Sequence, residues 1–106
     1  MIEKLEQVEQ RFERLTADLS NPSVIADSAR LQKVSRERAS IEKVVEAFRT
    51  YKKLLADLRG NEELLESGDA ELKALAREEL PGLKARRAEL EEELKLLLLP
   101  KDPNDD

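Results

Sequence analysis

A chain of 106 residues that is 40% hydrophobic but only 3% aromatic can bury a core only as a long, thin seam, and a charged fraction of 41% points to helices packed on helices. Cys and His are both absent, which removes disulfides, thiolate nucleophiles, the usual zinc ligands and the side chains that shuttle protons near pH 7. Met1-Ile2-Glu3-Lys4-Leu5-Glu6 carries charge where a secretion signal needs an apolar run, and no stretch nears the roughly 20 apolar residues of a membrane span, so a soluble, cytoplasmic protein with no membrane partner is expected.

Met1, Leu5, Val8, Phe12, Leu15 and Leu19 recur at alternating steps of four and three, the heptad signature of one helix over about 1–20. Ser20-Asn21-Pro22 should end it, with Asn21 in a left-handed C-cap and Pro22 forbidding continuation. Ser23 to Ala26 then makes a compact turn, and Asp27 is placed to cap the next helix.

Val34, Ile41, Val44, Phe48, Tyr51, Leu55, Leu58 and Leu65 fall on two heptad rows whose phase does not slip at Gly60. A second helix over about 27–67 is therefore predicted to run straight through the glycine, ending at Ser67-Gly68. Asp69 caps a third helix over about 70–99, where Ala76, Leu83, Leu90 and Leu97 lie seven apart with Leu80 and Leu94 on the companion row. Pro81-Gly82 interrupts its hydrogen bonding without resetting the register, so a kink is expected. The fold class these elements define is all-α: a three-helix antiparallel coiled coil with one long central helix and a projecting helical hairpin, occupying 1–99. The leucine run 96–99 passes directly into Pro100-Lys101-Asp102-Pro103-Asn104-Asp105-Asp106, and 100–106 reads as the start of a linker to downstream domains; at least one of the leucines is then either covered by something downstream or simply exposed at the surface.

No enzyme is indicated. Glu91-Glu92-Glu93 point in different directions around a helix, the three glycines stand singly, and no Ser or Thr has a His to activate it, so neither catalytic residues nor cofactors nor metals are expected. Charge is more informative. Residues 1–29 carry net −3, residues 30–59 net +5 and residues 60–106 net −7. The second helix therefore begins basic, with Arg38, Lys52 and Arg59 on one heptad row and Arg36, Lys43, Arg49 and Lys53 nearby. These cations either pair with glutamates of the first and third helices or form a strip for RNA or an acidic protein. Phe48 and Tyr51 lie on seam rows and are expected in the core, not as base-stacking platforms.

Leu19-Ser20-Asn21-Pro22-Ser23-Val24-Ile25-Ala26-Asp27, then Ser35-Arg36-Glu37, and above all Leu97-Leu98-Leu99-Pro100-Lys101-Asp102-Pro103-Asn104-Asp105 resemble the N-terminal domain of the bacterial peptide chain release factor one family over nearly the whole chain. The resemblance implies a helical arm that reaches the stalk base of the large ribosomal subunit, protein and ribosomal RNA, and that belongs to a factor with further domains. Stop-codon reading through Pro-any-Thr and peptidyl-tRNA hydrolysis through Gly-Gly-Gln are activities of the whole factor in translation termination, and neither motif occurs here. Two other classes remain open on the residues alone: a tRNA-binding coiled-coil arm of the kind found on seryl-tRNA synthetase, and a homo-oligomeric scaffold in which the isolated chain self-associates weakly along an exposed seam.

Overall fold

The computed structural model of the chain describes residues 1–100. Four helices occur among them and no strand: α1 (Ile2–Asp18), α2 (Pro22–Ile25), α3 (Ser28–Leu65) and α4 (Ala70–Leu97). The all-α class, the long central helix and the helical hairpin predicted from the heptads are thus present. The expected linker lies, from position 101 onward, outside the described residues.

Packing divides the chain into two compact units, Met1–Glu46 and Ala47–Asp106. In the first, α1 and the opening turns of α3 run antiparallel. Leu15, Val24 and Val34 form its buried cluster, with Leu19, Leu31 and Ile41 packed against it. Farther from the turn, Arg11 Nε and Nη2 donate to the two carboxylate oxygens of Glu37 at 3.1 and 2.6 Å.

The connection between α1 and α3 corrects two expectations. Asn21 does not adopt the left-handed conformation; its φ and ψ are −82° and 119°, and no described non-glycine residue has positive φ. The reason is Pro22, which biases the residue before it toward extended backbone while supplying a φ already suited to a first helical position. Asn21 therefore caps the helical turn after it: Oδ1 accepts from Ser23 N at 3.0 Å and from Ser23 Oγ at 2.9 Å. The end of α1 is instead closed by tight backbone bonds, Ser20 N to Ala17 O and Asn21 N to Asp18 O, each 3.0 Å. Ser23 to Ile25 is correspondingly not a simple turn but part of the single helical turn α2, which carries Val24 fully into the core. Asp27 caps α3 as expected, accepting from Arg30 N at 3.1 Å.

In the second unit α3 and α4 form an antiparallel hairpin. Its register is fixed at two levels, where the Tyr51 hydroxyl donates to Glu91 Oε2 at 2.9 Å and Asn61 Nδ2 donates to the Ala76 carbonyl at 3.0 Å. The hairpin turn is organised by Asp69, whose Oδ1 accepts from Glu71 N and Leu72 N, and by Ser67 Oγ, which accepts from Asp69 N. The helices stop two residues earlier than the sequence suggests at each C-terminal end, at Leu65 and Leu97.

Both breaker sites lie inside helices. Gly60 sits within a 38-residue α3, about 57 Å long at about 1.5 Å per residue. Pro81 sits inside α4. Having no N–H, Pro81 cannot bond the Arg77 carbonyl four residues back. Against alanine, a mid-helix glycine costs about 1 kcal/mol and a proline about 3 kcal/mol, which the buried seam must offset.

The seam itself is wider than two heptad rows. Val44, Phe48, Tyr51 and Leu58 are buried as predicted, but Ala47, Leu54 and Asn61, also seven apart, form a third buried row on α3. Of the predicted seam, Met1 is exposed, and Leu55, Leu65, Leu83 and Leu97 are only half-buried. Within the terminal leucine run, Leu96 and Leu99 are 66% and 63% exposed, while Leu97 and Leu98 are half-buried.

Candidate functional site

The predicted basic residues all lie on α3 and separate into distinct environments. Arg36 and Lys43, one heptad apart in the first unit, make no ion pair with another described residue. Arg38 is different. Its guanidinium carbon lies 4.4 Å from the centroid of the Phe12 ring, its Nε donates to Thr16 Oγ1 at 2.9 Å, and its Nη1 pairs with Glu42 at 3.5 Å. Thr16 in turn donates to the Phe12 carbonyl at 2.8 Å, so hydroxyl, ring and guanidinium hold one another. Arg38 is a structural cation that covers the α1–α3 seam.

In the second unit Arg49, Lys52, Lys53 and Arg59 are all exposed. Lys52 Nζ lies 4.7 Å from the Phe48 ring centroid, and Arg49 also interacts with its surroundings. Lys53 and Arg59 make no ion pair with a described residue. Phe48 and Tyr51 are core residues, as expected, at 1% and 5% exposure. The exposed cations of the predicted strip that make no ion pair with a described residue are thus Arg36 and Lys43 in one unit, and Lys53 and Arg59 in the other.

Sequence reasoning missed Arg87. It comes from the acidic last third of the chain, where a regional charge balance hides it, yet it lines an open cavity of about 310 Å³ with Leu55, Leu58, Arg59 and Glu62. The hairpin register was the signal that could have found it: once Tyr51 is set opposite Glu91, Arg87 on the preceding turn of α4 falls beside Leu55 and Leu58.

Two environments perturb titration. The Arg11 guanidinium, bonded to Glu37, holds that carboxyl below its ordinary value of 4.5, and Glu37 raises Arg11 in return. Burial raises the Tyr51 phenol above its ordinary 10.0, helped by the hydrogen bond to Glu91, whose negative charge opposes phenolate formation. Among the described residues no group of three acidic, His or Cys side chains could hold a metal ion, and no helix is long and apolar enough to cross a membrane.

Antiparallel helices with a capped hairpin and a covered aromatic core define an all-helical domain. The chain belongs to the PCRF domain family, which matches residues 8–106. Over all 106 residues it is 73% identical to peptide chain release factor 1 of Myxococcus xanthus strain DK1622 and 54% identical to that of Anaeromyxobacter dehalogenans strain 2CP-C, in each case covering 29% of the relative. Identity to peptide chain release factor 1 of Oleidesulfovibrio alaskensis is 45%, again over the full chain and 30% of the relative. The chain therefore spans less than a third of the length of these relatives. No solved structure matches it.

Proposed function

We propose that these residues are the ribosome-docking helical arm of a class I peptide chain release factor, acting in translation termination in the cytoplasm. The observation that carries this reading is the full-length match, at 73% identity, to a protein named peptide chain release factor 1. The chain has no Gly-Gly pair, and its two threonines, Thr16 and Thr50, do not follow a proline by two positions. Stop-codon reading and peptidyl-tRNA hydrolysis accordingly fall to the remaining domains, and this domain contributes binding and orientation. Its partners are those domains and the stalk base of the large subunit. A phosphate-bearing surface suits Arg36, Lys43, Lys53 and Arg59, which make no ion pair among the described residues, because an overall charge of −5 gives little general attraction to RNA and leaves the contact to local cations.

Co-sedimentation with large ribosomal subunits over a salt series tests the surface. The variant Arg36→Glu/Lys43→Glu/Lys53→Glu/Arg59→Glu should bind at least about tenfold more weakly and show a shallower salt dependence than the parent. Equal binding by both would place the contact elsewhere on the domain. Arg38→Gln is the control that separates a binding cation from a structural one: it should lower stability while leaving the salt slope unchanged.

A further inference from the structure

The α3–α4 hairpin contains three helix-weakening residues, and the register brings them to one level. Asn61 of α3 bonds Ala76 of α4, and beside that bond one open cavity, of about 490 Å³, is bordered by Asp57, Gly60, Asn61 and Leu64 from α3 and by Glu79 and Leu83 from α4. Gly60 therefore stands opposite the turn of α4 that contains Pro81 and Gly82. Neither glycine is required sterically: a Cβ at either would meet nothing within 4 Å, and neither has positive φ. Helices bend where a proline removes a backbone bond or a glycine removes side-chain restraint, and here both arms are weakened at the same height beside unfilled space.

We propose that this level is a hinge, about which residues 61–80 bend as one tip relative to the rest of the hairpin. Asn61 keeps the tip together. It is 4% exposed, and its Nδ2 bond to Ala76 ties the two arms immediately beyond Gly60, so they bend jointly instead of splaying. Its Oδ1 has no hydrogen-bond partner among the described residues, which leaves the joint less tightly bonded than a fully satisfied one. The carbonyl of Arg77, deprived of its donor by Pro81, loosens α4 at the corresponding turn. The bend is a property of the hairpin alone and does not depend on the identity of the partner.

The absence of native cysteine makes the test direct. Spin labels at Lys53→Cys and Glu71→Cys span the hinge, and labels at Lys53→Cys and Lys95→Cys stay on one side of it. The spanning pair should give a distance distribution about twice as wide as the control pair, and Gly60→Ala/Pro81→Ala/Gly82→Ala should narrow it to the control width. Backbone hydrogen exchange supplies the second readout, with amides at 60–64 and 82–85 exchanging about tenfold faster than amides two turns away on the base side, and the difference disappearing in the triple variant. A spanning distribution as narrow as the control in the parent chain overturns the hinge. So does a broad distribution that the triple alanine variant leaves unchanged.

Discussion

Asn61 is a buried polar side chain of the hairpin seam, and its two ends behave differently: Nδ2 is bonded to Ala76 O, while Oδ1 has no partner among the described residues. Replacing it by Asp would remove the donor and bury a charge, and should lower unfolding free energy by about 2–4 kcal/mol. Replacement by Leu removes both the bond and the unsatisfied oxygen, so urea denaturation should find it within about 1 kcal/mol of the parent. Equal destabilisation by both would mean that the bond to Ala76, not the desolvation of Oδ1, dominates the site. Heptad reading could not see this residue, because two apolar rows already explained α3 and a polar residue on the third looked like surface. Periodicity left open whether Arg38 pairs across the seam or joins a partner-binding strip, because row assignment on α3 does not reveal that the Phe12 ring of α1 lies against its guanidinium.

Titration is a second property of single residues. Glu37 has its folded value depressed by the Arg11 bond, so its stabilising contribution is present above the ordinary 4.5 and is lost as pH falls through the folded value. Glu37→Gln should therefore flatten the acid limb of a stability profile below about pH 5, by a small amount because both partners are exposed. Tyr51 has the opposite sign. Its raised value means stability that is present below 10 and lost as pH rises through the folded value, and Tyr51→Phe should remove that alkaline loss. Ultraviolet titration of the lone tyrosine should show a midpoint above 10, and a midpoint at or below the free-phenol value would contradict its burial against Glu91.

The helices themselves were legible because apolar phase survives interruptions that local propensity alone would treat as ends. Gly60 and Pro81 break local rules, yet Phe48 and Leu58 on one arm and Leu90 and Leu94 on the other keep enough seam buried to carry α3 and α4 through them. Caps were less legible, since one side chain can serve either neighbouring helix. Asp27 and Asp69 each sit directly before the helix they cap, whereas Asn21 reads equally as the end of α1, and the choice was made by Pro22. Asp69→Ala should cost about 1 kcal/mol in urea melts by releasing the Glu71 and Leu72 amides, and Asn21→Ala a similar amount through α2. An Asn21→Gly variant that stabilised the chain would instead indicate a left-handed cap on α1.

Across the whole molecule, composition excluded a great deal while naming very little. The lack of Cys and His and the scattered glycines argued against catalysis, and the leucine run with its Pro-Lys-Asp-Pro-Asn-Asp sequence pointed to the release factors, a family membership now shown by the match over 8–106. The proposed docking surface was only half legible. The basic segment of α3 was visible as a regional charge excess, but which cations face solvent unpaired depended on where Phe12 and Phe48 packed, and Arg87 was concealed by the acidic segment around it. Fold and proposed binding surface thus share one helix, with core rows and cations interleaved along α3.

The measurement that tests the proposed role most directly is competition between this chain and an intact release factor 1 for ribosomes halted at a stop codon, scored as peptide release across a range of chain concentrations. Docking through these residues predicts inhibition that additional intact factor overcomes, and that the Arg36→Glu/Lys43→Glu/Lys53→Glu/Arg59→Glu variant fails to produce. Undiminished release at saturating concentrations of the folded chain would contradict it.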